Sequence, residues 1–402
     1  MSRRMVDLTD TELFVTGDPH PVWKWLRQNE PVYWNGEDSE NGFWALTKYE
    51  DITTVYRDPS TFSSKDGTVM GGSYRSKADT ASGKMIICSD PPRHGLLRRP
   101  VAAGFKDDAL QRVNTLVHEL VDQAIDRMLR DGGCDFATDV APYLAVGALM
   151  GLMAVSEAEA HRLLHLSRRI IGYRDSEARG EGPENMALVC AQTEMFAAVS
   201  DIMEQRRRQR GGDMISMLLD AEVNGRPMNP DAVVYNILNV AVGGNETTPY
   251  TACGGVQALI EHPEQHRRLL SEPALLPSTV EEVLRWTSTN AYVQRTVMRD
   301  VVVRGQPIRA GQKVTLWNAS ANRDEDMFVD PDRFDITRDP NPHIAFGGGN
   351  HFCVGAKFAR LELTVLFERL LARDVRLELT GPVERLRSNF LLGVKHMPVK
   401  VI

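Results

Sequence analysis

Between Asp231 and Glu261 lie 29 residues with a single formal charge, Glu246, which has fourteen uncharged residues on either side. A helix over this stretch would run for about 45 Å, enough to cross a whole domain. A helix that apolar is buried, so the rest of the chain has to wrap around it. A carboxylate at its centre is costly unless it is paired, hydrated or neutralised, and a buried arginine partner is the plain expectation. Gly243 and Gly244 weaken the helix, and Pro249 cannot donate to the Asn245 carbonyl. A bulge or groove is therefore expected beside Glu246 and Thr247.

The remaining sequence reads as mostly helix with a small sheet. Helical patterning runs from Pro92 to about Leu270, with breaks at Gly132-Gly133, Gly180–Pro183, Gly211-Gly212 and Asn224-Gly225. Short helices are expected at Pro21–Gln28 and Tyr49–Asp58, and strands at Pro31–Trp34, Val301–Val303 and Gln312–Leu316. Ser63–Ser89 reads as a long loop. No internal repeat or low-complexity linker interrupts the chain, which predicts one unit over residues 1–402. The net charge of −7 (47 basic against 54 acidic residues) and the lack of a long basic tract argue against nucleic acid as partner. Five cysteines with no CxxC argue against a disulfide framework or zinc ribbon. Val140–Ser156 is uncharged but short of a membrane span and holds Pro142, Gly147 and Gly151, so it reads as a buried helix. Met1–Asp7 lacks the apolar core of a signal peptide, and a soluble, cytoplasmic protein is expected.

The densest chemistry lies in Phe346-Gly347-Gly348-Gly349-Asn350-His351-Phe352-Cys353-Val354-Gly355. Successive glycines let the backbone approach another group closely. Cys353 is expected to open the helix Ala356–Leu371, where the dipole and free N–H groups favour a thiolate suited to metal ligation. For a lone cysteine, a buried thiol in a glycine turn is the ordinary reading. The pattern Phe-Gly-x-Gly-x-His-x-Cys-x-Gly, continued by Ala359-Arg360-Leu361-Glu362, resembles the haem-binding segment of the cytochrome P450 family. The resemblance implies that Cys353 is the thiolate ligand of haem b iron, with Phe346 and Gly355 in the haem-binding segment.

Further motifs fall in the family's order. Gly243-Gly244-Asn245-Glu246-Thr247-Thr248 is similar to its oxygen-activating motif, which implies Glu246 as the acid and Thr247 as the alcohol that deliver protons during O2 activation, with Gly243 widening the turn. Glu282-Val283-Leu284-Arg285 resembles its structural Glu-x-x-Arg motif, with Arg333 as the implied third member. Asp90-Pro91-Pro92-Arg93-His94 resembles its haem-side helix, which implies His94, Arg98, Arg295 and His351, with His343 a weaker candidate, as partners of the haem propionates. His161/His165 and His262/His266 have helical metal-ligand spacing but lack the Glu of a zinc-protease motif, and read as surface residues.

The implied fold is a mainly α helical prism with a small β-rich part enclosing haem. The implied activity is that of a monomeric haem-thiolate monooxygenase. No flavin or iron–sulfur motif is present, so electrons are expected from a separate ferredoxin and its NAD(P)H-dependent reductase. Arg98, Arg99, Lys106, Lys357 and Arg360 form a cationic patch that would steer the acidic carrier. The substrate is expected to be a small hydrophobic molecule, free or carrier-tethered, bound by Met70, Tyr74, Tyr292, Val293, Phe390 and Leu391. Tailoring of a polyketide or aromatic antibiotic is the expected setting. The alternatives are steroid or terpenoid hydroxylation, phenol coupling, and a haem sensor without turnover.

Overall fold

The computed structural model describes residues 6–36, 42–70, 81–180 and 182–402. The uncharged stretch forms two helices, Pro230–Asn245 and Thr247–Glu261, that meet at Glu246. The expected single helix is interrupted there because Pro249 has no N–H for the Asn245 carbonyl. Helical bonding resumes with the Tyr250 N–H to the Glu246 carbonyl at 3.1 Å. Most apolar side chains on the pair are buried.

The helices around this axis pack through small residues. Asp107–Asp131 lies against Pro142–Met153, where a Cβ on Gly147 or Gly151 would come within 3.1 or 2.8 Å of the Val117 or Val113 backbone. The two glycines therefore set how closely these helices approach. Asp107–Asp131 ends at Gly132, whose left-handed φ of 76° matches the expected break. Two segments, Phe136–Met153 and Glu184–Arg208, are long and apolar enough to cross a membrane, but most of the first is buried in the core.

The sheet-rich part sits at the other side of the chain. Its five-stranded sheet runs Val32–Asn35, Phe43–Leu46, Lys313–Leu316, Val293–Val297, Phe62–Ser63. Lys313–Leu316 pairs parallel with Phe43–Leu46 (Val314 opposite Trp44) and antiparallel with Val293–Val297 (Val314 opposite Arg295). That register carries Arg295 and Val293 to the edge of the central cavity. A three-stranded sheet of Leu377–Leu379, Pro398–Val401 and Gly133–Asp135 ties the C-terminus to the long helices.

A buried ionic knot joins the helix Leu276–Thr287 to the segment that follows the sheet. Arg285 grips Glu282 through both carboxylate oxygens at 2.7 and 2.8 Å, and also donates to the carbonyls of Asn322, Pro331 and Arg333. The third member is Arg338, whose Nε lies 3.2 and 3.4 Å from the Glu282 oxygens. The expectation for Arg333 is therefore corrected. Its neighbour Phe334 turns into the core at 1% exposure, which sends the Arg333 side chain outward at 63%. Arg333 contributes only its carbonyl.

Candidate active site

The glycine loop is shaped by two separate demands. Gly347 and Gly349 have φ of 69° and 59°, a region other residues rarely adopt. Gly349 also lies on the end of the helix Tyr49–Arg57, where a Cβ would stand 2.0 Å from the Tyr56 carbonyl oxygen. The loop closes with the Cys353 N–H on the Phe346 carbonyl at 3.0 Å. Cys353 does not open the helix. It sits in the turn three residues ahead of Ala356–Ala372, with Gly355 as the N-cap.

The Cys353 thiol is packed round by protein but open toward an internal cavity of about 660 Å³. Burial pushes the thiol up, opposed by the Gly355 N–H and by the Arg98 and Arg360 guanidiniums. The helix end and its cations thus do not ionise the thiol unaided, and a coordinated metal cation would.

Four basic groups converge on the same cavity. His94 is buried with Nε2 unpartnered, and its ring lies 4.3 Å from that of His351. Arg295 is buried, stacked over Tyr56, with one side-chain hydrogen bond among the described residues, to its neighbour's carbonyl at 2.8 Å. Arg98 donates to the Phe352 carbonyl. Burial and repulsion by neighbouring cations push His351 down to about 2 and hold His94 below its ordinary value, and burial lowers Arg295, although Asp90 pulls His94 and Arg295 back, as Tyr56 and Cys88 do Arg295. Asp90 is already held by Ser63 and Ser64. A buried cation with so little compensation costs several kcal/mol, and two bound carboxylates would offset it. The donor set, the unpartnered His94 nitrogen and the cavity-facing thiol together fit a haem with its two propionates.

Above the thiol, Gly243, Gly244, Thr247 and Thr248 line the cavity. A Cβ on either glycine would meet nothing within 4 Å, so both leave open space. The Thr247 hydroxyl donates to the Gly243 carbonyl at 2.9 Å. Glu246 is not in the cavity wall. Its carboxylate turns instead to the helix Glu157–Ile171. There its Oε1 lies 3.7 Å from Arg168 Nε, and neither carboxylate oxygen has a well-formed hydrogen bond.

Burial pushes Glu246 up to about 7, against the pull of Arg168 and the Tyr250 hydroxyl. The folded protein keeps this proton to about pH 7, while the unfolded chain loses it near 4.5. The associated stability is complete below pH 4.5 and is lost as pH rises through 7. Glu246→Gln should therefore gain on the wild type by on the order of 2–3 kcal/mol between pH 5 and pH 8. Urea midpoints of the two proteins across that range read the difference, and a pH-independent difference would refute it.

Met70, Val293, Phe390 and Leu391 line the cavity as expected, as do Phe346 and Gly355. Tyr292 does not. It alternates with Val293 in extended chain and so faces the core, with its ring 4.9 Å from Trp317 and its hydroxyl accepting from the Met70 N–H. Tyr74 lies outside the described residues. His343 pairs with Glu281 away from the cavity. The cationic patch is thinner than expected, because Lys357 pairs with Asp107 and Arg360 with Glu281, which leaves Arg99 and Lys106 exposed. Tyr56, Arg174 and Gln192 also line the cavity and carry no motif that sequence reading could have used. Glu362 lines it too, and burial holds its carboxyl well above the ordinary range.

Comparison with known proteins agrees with this arrangement. The family model for cytochrome P450 matches residues 185–400. The steroid C26-monooxygenase of Mycolicibacterium smegmatis is 35% identical over 99% of this chain and 96% of its own, and the linalool 8-monooxygenase of Pseudomonas putida is 34% identical over 98% of each. A Mycobacterium marinum cytochrome P450 solved in complex with pseudoionone is 30% identical and superposes over 100% of both chains with a TM-score of 0.90. Helical prism, cysteine loop and end-to-end relatives lead to one conclusion: this chain belongs to the cytochrome P450 family, whose chemistry is haem-thiolate monooxygenation with O2.

Proposed function

We propose that the protein hydroxylates an extended apolar molecule of terpenoid, steroid or lipid character. The observation that carries the reading is the Thr247 hydroxyl set beside the open Gly243–Gly244 turn, in the cavity wall shared with Cys353. When bound, thiolate-ligated haem supplies O2 activation and the oxidising equivalent. Cys353 would hold the iron, and His94, Arg98, Arg295 and His351 would hold the propionates. Phe346 and Gly355 shape the pocket on the cysteine side, and Gly243 leaves room on the other. Glu246, part-protonated near neutral pH and facing Arg168, serves as the proton reserve, and Thr247 passes the proton into the cavity. Met70, Val293, Phe390 and Leu391 exclude water and orient the substrate.

The names of the matched relatives favour the terpenoid or steroid alternative over antibiotic tailoring. A soluble ferredoxin with its reductase remains the proposed electron source, docking on the Cys353 side at Arg99 and Lys106 in a cytoplasmic setting. Thr247→Ala should lower product formed per NADH by roughly tenfold or more, with consumption continuing and hydrogen peroxide released. Assay with a surrogate ferredoxin and reductase reads this ratio, and unchanged coupling would remove Thr247 from the reaction. NADH consumption coupled to product in the wild type would also exclude a sensor without turnover.

A further inference from the structure

Where the helix Glu157–Ile171 gives way to the next turn, Tyr173 and Arg174 enter the cavity wall together with Gln192 and Asn389. Arg174 is half-buried, lies over the Tyr173 ring at 5.4 Å, and has no ion pair among the described residues. Acidic neighbours are close in the chain but already engaged. Asp175 accepts from the backbone N–H groups of Glu177 and Arg387 and from Lys395. Glu177 is taken by Lys395 and His396, and Glu12 by Arg387, the other arginine of this wall. Among the described residues one carboxyl lines the cavity, Glu362, on the cysteine-side helix, where burial holds it well above the ordinary range. Between these groups the wall is hydrocarbon, from Leu149, Leu152, Ile170, Met195, Phe196 and Leu238.

A guanidinium with no ion pair among the described residues, in a part of the wall otherwise made of hydrocarbon, neutral polar groups and the paired Arg387, selects for one negative charge on an apolar body. The planar fork of arginine matches a carboxylate in particular. We propose that Arg174 anchors the carboxylate of an amphipathic acid, whose hydrocarbon body fills the cavity toward Thr247. This rests on the hydroxylase reading for the chemistry, but not for the binding.

The test uses haem-loaded protein with dodecanoic acid and methyl dodecanoate, read by calorimetry, which does not depend on the haem spectrum. The wild type should bind the acid about ten- to a hundredfold more tightly than the ester. Arg174→Gln should remove that preference without changing ester affinity, and Arg174→Lys should keep part of it. Equal affinities in the wild type, a preference that survives Arg174→Gln, or failure of both probes to bind would each overturn the proposal. Arg174-dependent binding without any oxidised product would leave the anchor standing and sink the hydroxylase reading instead.

Discussion

Cys353→Ser should abolish product formation, by about three orders of magnitude or more, and remove the thiolate-type spectrum of the reduced carbon monoxide complex. A serine hydroxyl stays protonated where a thiol can be ionised by a metal, so the electron push that favours O–O cleavage is lost. The loop itself should survive, because its closure uses the Cys353 backbone N–H and the Phe346 carbonyl rather than the sulfur. An unchanged far-ultraviolet circular dichroism spectrum is thus part of the expected result. A serine variant that kept the thiolate-type spectrum would refute the assignment of Cys353 as ligand.

The second large effect separates two arginines only five residues apart. Arg338→Ala should cost the folded state about 3 kcal/mol, whereas Arg333→Ala should stay within roughly 0.5 kcal/mol. Arg338 is largely buried and bonds Glu282 and the carbonyls of Val329, Asp330 and Arg333. Its loss takes these bonds from the Val329 and Asp330 carbonyls and leaves Arg285 as the one arginine on Glu282 among the described residues. The Arg333 guanidinium lies in solvent with Asp335 at 4.0 Å, a contact worth little. Urea midpoints with matched slopes measure both. Equal costs, or a larger cost at Arg333, would return the knot to the arrangement expected from the motif.

These two predictions draw on different levels of information. The glycine turn around Cys353 was legible from residue type, whereas its role as a ligand was implied by the resemblance of the whole segment to the cytochrome P450 family. A distortion beside Glu246 was legible from Pro249, though not the division into two helices, and so was the helix stop at Gly132 with its left-handed φ. The strands at Val301–Val303 and Lys313–Leu316 and the last helix Ala356–Ala372 also followed from short-range pattern.

The sequence by itself thus determined the α-rich class, the loop that presents a thiol, and the one carboxylate inside the central helices. Only the tertiary structure decided which way neighbouring side chains face and what they meet. It turned Tyr292 to the core and Val293 to the cavity, sent Glu246 to Arg168 and Thr247 to the pocket, gave Glu282 to Arg338, and set Tyr56 beneath Gly349. It also left Arg174 over the Tyr173 ring without an ion pair among the described residues. The physical reason is range: backbone propensities act over a few residues, whereas partner choice is settled by packing between segments far apart in the chain.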